Sequence, residues 1–122
     1  MGIESLFKEP GKKKTKVSLE DHARGRRRAF ERPGLFYLGT DLEAGDRIFL
    51  TEEARRLHTH IVGSTGSGKT SFMESMVFHD LQRGRGLVFL DGKGDIRTLR
   101  VLYGFVKFLG REKDFRFFSL AH

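Results

Sequence analysis

The chain has 122 residues, 38% of them apolar, and no cysteine. That supports one ordinary domain with a modest core, and it excludes disulfides and thiolate metal sites. The net charge of +7 is uneven: residues 1–32 hold 10 Lys/Arg against 5 Asp/Glu, whereas residues 33–122 hold 13 against 11.

No run approaches the ~18 apolar residues of a membrane span, and the N-terminus has no apolar segment suited to a signal peptide. Leu6 stands where the myristoylation pattern requires Ser or Thr. A reducing, cytoplasmic setting fits the absence of cysteine.

In chain order, residues 1–32 are polar and poorly periodic, and are expected to form a flexible basic arm. Its excess charge lies in Lys12, Lys13, Lys14 and Lys16 and then in Arg24, Arg26, Arg27 and Arg28. Such an arm attracts polyanions, either DNA or an anionic membrane surface; a plain solvated tail has the same composition. A short helix over Ser18 to Phe30, capped by Ser18, is compatible with the pattern. Pro33-Gly34 marks a turn and a domain boundary, so residues 33–122 are expected to form the second unit.

Two short β-like runs follow, Leu35 to Leu38 and Arg47 to Leu50, joined by the Gly39–Asp46 loop as a hairpin. Thr51 to Arg56 is polar and suits a brief helical turn. Leu57 to Val62 reads as a strand, and Thr70 to Arg83 as an amphipathic helix with Phe72, Met73, Met76, Val77 and Leu81 at three- and four-residue spacing. Gly84 and Gly86 end it. Leu87 to Leu90 has the continuous apolar character of a strand buried on both faces. Asp95 caps a second helix, which Gly110 stops, and Phe115 to Leu120 is a third strand. Along that helix Arg97, Arg100, Lys107 and Arg111 form a stripe that fits a solvated face or a nucleic-acid contact. The expected fold is α/β: a partial parallel sheet with crossover helices, preceded by a β-hairpin and the arm.

The chemistry-bearing motif is Gly63-Ser64-Thr65-Gly66-Ser67-Gly68-Lys69-Thr70, which matches G-x-x-x-x-G-K-[ST] between a strand and a helix. Gly63, Gly66 and Gly68 permit backbone conformations that a β-carbon blocks, so amide hydrogens can turn inward around an anion. The helix start adds unsatisfied N–H groups, and with them the cofactor-binding set extends to Ser71. Lys69 brings a charge to the β- and γ-phosphates, and the Thr70 hydroxyl is suited to Mg²⁺. The expected cofactors are ATP and Mg²⁺, with Lys69 and Thr70 as the catalytic candidates. Asp91, at the end of an apolar run, is a second candidate Mg²⁺ carboxylate; in Asp91-Gly92-Lys93-Gly94-Asp95 it equally suits a tight turn. His58 and His60 lie two apart with no third ligand, which favours strand packing over metal binding.

Together, Tyr37-Leu38-Gly39, the loop, Leu87-Val88-Phe89-Leu90-Asp91-Gly92-Lys93-Gly94-Asp95 and Gly110-Arg111 through Ser119 resemble type IV secretion and conjugation coupling proteins of the TraD/TraG type. These are relatives of the FtsK/HerA DNA pumps. The resemblance covers residues 35–122, and Gly92 replaces the family's proline. It implies a P-loop (RecA-like) ATPase domain, a hexameric ring, and DNA or relaxosome and secretion components as partners, at the cytoplasmic face of the inner membrane. It also implies that the catalytic Asp-Glu pair lies further along than His122. The chain is therefore expected to be an N-terminal piece of a longer motor, with ATP binding but negligible turnover. Asp91-Gly92-Lys93-Gly94 also fits the D-x-x-G of GTPases, so another P-loop NTPase, such as a GTPase or small kinase, and a non-catalytic nucleotide- or DNA-binding fragment are the alternatives.

Overall fold

The computed structural model describes residues 18–119. The chain divides into two compact units, Met1–His58 and Thr59–His122.

The first unit is a helix on a hairpin. Helix α1 (Leu19–Glu31) precedes strands β1 (Leu35–Thr40) and β2 (Arg47–Thr51) and the short helix α2 (Glu52–Arg56). β1 and β2 pair antiparallel, Leu35 opposite Thr51 and Tyr37 opposite Phe49, with an irregularity between Tyr37 and Gly39. The connecting loop is organised by Asp41, whose Oδ1 accepts from the amides of Glu43 (2.6 Å) and Ala44 (2.9 Å). Gly45 closes the loop at a φ of 77°, a left-handed conformation that glycine adopts without strain. Thr51 caps α2 by accepting from the amide of Ala54 at 3.2 Å.

α1 sits on β1 because it offers small residues there. Gly25 and Ala29 are both buried, one helical turn apart. A β-carbon at Gly25 would collide with the Tyr37 ring, so the missing side chain sets the approach distance. Tyr37 packs against Phe49 with ring centroids 5.8 Å apart, and the Arg28 guanidinium lies 5.5 Å from the Phe49 centroid. Residues 19–31 thus pack on the hairpin within the unit that ends at His58. Sequence alone hid this, because a glycine and an alanine among arginines give no apolar periodicity. Lys12, Lys13, Lys14 and Lys16 lie outside the described residues. On α1 itself Arg24 pairs with Glu20 (3.9 Å) and Arg27 with Glu31 (3.0 Å), so part of its charge is balanced within one helix.

The second unit pairs helix α3 (Lys69–Gln82) with helix α4 (Ile96–Phe108), followed by a 3₁₀ turn over Glu112–Asp114. The Phe78 ring packs between Phe105 and Phe108, at centroid distances of 4.9 and 6.2 Å. Val77, Thr98, Leu102 and Val106 are buried. Both helices end the same way. The Arg85 amide reaches back to the carbonyl of Asp80 and Gly84 to Leu81, while Arg111 reaches Val106 and Gly110 reaches Lys107. Gly84 and Gly110 supply the left-handed residue that this double bond requires, at φ of 72° and 67°.

Among the described residues the one hydrogen-bonded sheet is the β1–β2 hairpin. The runs expected as parallel strands, 57–62, 87–90 and 115–120, the last residue of which lies outside the described residues, carry no ladder among the described residues. Val62, Val88, Leu90 and Phe118 are at least 80% exposed. An apolar run records a tendency to be buried but does not specify which strand it pairs with.

Candidate functional site

The Gly63–Thr70 loop is a turn closed on itself by Lys69. The Ser67 amide donates to the Ser64 carbonyl at 3.2 Å, and Gly66 and Gly68 take φ of 80° and 89°. Lys69, the first residue of α3, folds its side chain back over the loop. Its Nζ donates to the carbonyls of Gly63 (2.7 Å) and Ser64 (2.6 Å). The ammonium thus holds the two ends of the loop together and fixes a positive charge beside its backbone.

Gly63, unlike Gly66 and Gly68, does not take a positive φ, and what limits a side chain there is space. A β-carbon there would press on Ser67 Oγ and approach Lys69 Cγ. At the helix start Gly68 gives no side-chain cap, and the first turn holds no acidic residue. The first helical bond runs from the Phe72 amide to the Gly68 carbonyl at 2.9 Å, so the amides of Lys69, Thr70 and Ser71 precede the intrahelical ladder. Thr70 and Ser71 are exposed, as are Ser64, Thr65 and Ser67. A collar of amides and hydroxyls around a lysine, without a carboxylate in the first turn, is chemically suited to an anion.

Asp91 is engaged locally. Its Oδ1 accepts from the Lys93 amide (2.9 Å) and its Oδ2 from the Asp95 amide (2.7 Å), which folds the chain into α4, with Gly94 at a φ of 64°. Both carboxylate oxygens therefore shape the turn, although each keeps a further lone pair. Asp95 caps α4 as expected, accepting from the Arg97 amide and the Thr98 hydroxyl, each at 3.0 Å. The Arg97 amide bond, then the Thr98 hydroxyl, hold its carboxyl below the usual carboxylate range. His58 has a φ of 69° and is exposed. No group of three potential metal ligands occurs among the described residues.

Arg111 differs from the expected solvated stripe. Its Nη1 donates to the carbonyls of Leu81 (3.2 Å) and Arg85 (3.0 Å), and its Nε pairs with Asp114 at 3.2 Å. It ties the end of α3 to the end of α4. A helical wheel could not reveal this, because Arg111 lies past the last turn of α4.

No family model matches the chain, and no solved structure matches it. Over 81 residues, 66% of the chain, the sequence is 36% identical to the type 4 coupling protein DotL of Legionella pneumophila. The similarity supports a coupling-protein relationship. The chain spans about a tenth of the length of this curated relative, since the match covers 10% of it. Among the described residues no helix is long and apolar enough to cross a membrane.

Proposed function

We propose that the chain is the nucleotide-binding portion of a type IV secretion coupling ATPase, with the Gly63–Thr70 loop as its phosphate cradle. One observation carries the reading: Lys69 Nζ is held at the loop carbonyls of Gly63 and Ser64, at the uncapped start of α3. The residues present fit ATP–Mg²⁺. The uncapped helix start offers amides ahead of the intrahelical ladder, and the exposed Thr70 hydroxyl can take a cation. The Thr70 hydroxyl would hold Mg²⁺, which would supply positive charge against the phosphates. Lys69 would exchange its two carbonyl partners for phosphate oxygens, and the amides from Gly66 to Ser71 would bind the anion. Asp91 is the second candidate for the cation; its two turn bonds also support a purely structural role.

The similarity to DotL supports the coupling role and association with secretion components. Within this reading the runs 57–62, 87–90 and 115–120 are parallel strands of a P-loop sheet, and the assembled protein is a hexameric ring that handles DNA or relaxosome cargo at the inner membrane.

Calorimetric titration with MgATP tests the proposal. Wild type is expected to bind and Lys69→Ala to lose about tenfold or more in affinity, which corresponds to ~1.4 kcal/mol. Equal binding by both proteins would overturn it.

A further inference from the structure

On the hairpin face that carries α1, two arginines from different elements flank the Phe49 ring. The Arg28 guanidinium, from α1, lies 5.5 Å from the ring centroid. Arg47 stands two residues before Phe49 on β2, so strand alternation puts both on one face, about 7 Å apart. The burial pattern agrees: Arg47 and Phe49 are half-buried, whereas Ile48 between them is exposed. Neither guanidinium meets a carboxylate or another acceptor among the described residues. The Arg47 Nε is buried and has no hydrogen-bond partner.

A buried charged donor without an acceptor is costly, and a second cation beside the same ring adds to the cost. The nearby carboxylates are engaged elsewhere. Glu20 meets Arg24 at 3.9 Å and Glu31 meets Arg27 at 3.0 Å. Asp41 holds the amides of Glu43 and Ala44 in the hairpin loop. Stacking on Phe49 restrains the Arg28 guanidinium, so its donors are held in place before any acceptor arrives. Two restrained cations without a counter-charge form an anion site built from two elements.

Donor number and charge select the anion. A carboxylate presents two oxygens and one charge, which a single arginine fork already engages. A phosphate monoester presents three oxygens and carries up to two charges, enough for both forks. We propose that Arg28 and Arg47 bind the phosphate of a monoester, or free phosphate, across the Phe49 ring. Both arginines belong to the first unit and the Gly63–Thr70 loop belongs to the second. The inference therefore goes beyond the nucleotide-binding reading and does not depend on it.

The test follows the arginine Nε–Hε signals of the full chain by NMR while sodium phosphate replaces sodium chloride at constant ionic strength. The Arg28 and Arg47 signals are expected to shift together and to saturate, with acetate binding about tenfold more weakly. Arg28→Gln and Arg47→Gln should each weaken phosphate binding about tenfold. The amides of residues 63–71 report the phosphate loop separately, so failure at the arginines leaves the nucleotide reading standing. Co-sedimentation with phosphatidic acid–phosphatidylcholine vesicles identifies the source of the phosphate. Sedimentation lost in both variants assigns a lipid headgroup; no sedimentation, or sedimentation unchanged in both variants, assigns a soluble phosphate. Unmoved arginine signals, equal affinity for acetate and phosphate, or unchanged phosphate affinity in both variants would overturn the proposal. So would a thymidine oligonucleotide, a phosphodiester, binding these arginines more tightly than phosphate does. The acetate comparison uses wild-type protein only and decides the matter even if the variants do not fold.

Discussion

The guanidinium of Arg111 donates to the carbonyl of Leu81, 30 residues earlier in the chain, at 3.2 Å. The same Nη1 reaches the Arg85 carbonyl at 3.0 Å, and Nε holds Asp114. Helix C-termini leave carbonyls without intrahelical donors. From beside the end of α4, one guanidinium nitrogen thus reaches a carbonyl in the last turn of α3 and another just past its end. Arg111→Ala should therefore destabilise the second unit by about 2 kcal/mol, within the range for hydrogen bonds to a charged group. Urea unfolding measures it. Arg111→Lys should recover less than half of the loss, because an ammonium cannot reproduce the fork. Unchanged stability in Arg111→Ala would show that water replaces the side chain at no cost.

Gly63 connects backbone geometry to the proposed cradle. Gly63→Ala places a methyl group against Ser67 Oγ, so the loop must shift. MgATP affinity is expected to fall about tenfold. Adding Ser67→Gly removes the atom that the methyl meets, so the double variant should regain part of the loss. A double-mutant cycle with no coupling between the two positions would contradict the steric account.

The helices of this chain were legible in its sequence because their signals are local. Asp95 reads as a cap and accepts from the Arg97 amide; Gly84 and Gly110 read as stops and take the left-handed conformation at the ends of α3 and α4. The hairpin follows from two β-like runs around a Gly- and Asp-containing loop. Three features were hidden because they depend on distant neighbours. Gly25 shows its purpose only once the Tyr37 ring lies over it. Arg111 resembles any exposed arginine until the α3 carbonyls are in place. Strand pairing is likewise non-local: Leu87 to Leu90 has the composition of a buried strand, yet no ladder forms there among the described residues. At the loop, the motif identified the residues but not the folded-back position of Lys69.

Gly25 offers a separate test of the first unit. Gly25→Ala would be mildly favourable in an isolated helix, since alanine has the higher helix propensity. Against the Tyr37 ring it should instead destabilise by about 1–3 kcal/mol, the usual range for overpacking. The two expectations have opposite signs, so a thermal or urea midpoint separates them. A stabilised Gly25→Ala protein would mean that α1 does not hold its place on β1 in solution.

Asp95 predicts a pH dependence with a defined sign. Its carboxyl is held below the usual range, mainly by the Arg97 amide and then by the Thr98 hydroxyl. The folded state therefore favours the ionised form. The stabilisation is fully present above the unfolded-state value and is lost as pH falls through the lower folded value. Asp95→Asn keeps a capping oxygen but not the charge. The stability difference between wild type and Asp95→Asn should therefore be greatest near neutral pH and shrink below about pH 4. A difference independent of pH from neutral to acid would locate the effect in the neutral hydrogen bonds instead.

The basic N-terminal residues provide the last prediction, and the packing of α1 changes how it must be tested. Removing residues 1–32 would also strip α1 from the hairpin and expose Tyr37, which mixes unfolding with loss of charge. Removing residues 1–17 spares α1 and still deletes Lys8, Lys12, Lys13, Lys14 and Lys16. Phosphate neutralisation by these lysines would release counterions, so duplex DNA affinity should fall and its salt dependence should flatten. On α1 the Glu20–Arg24 and Arg27–Glu31 pairs already balance four charges, so the remaining helix should contribute the smaller share. Fluorescence anisotropy across a salt series reads both quantities. An unchanged slope after the deletion would assign any DNA affinity to surfaces other than the Lys-rich segment.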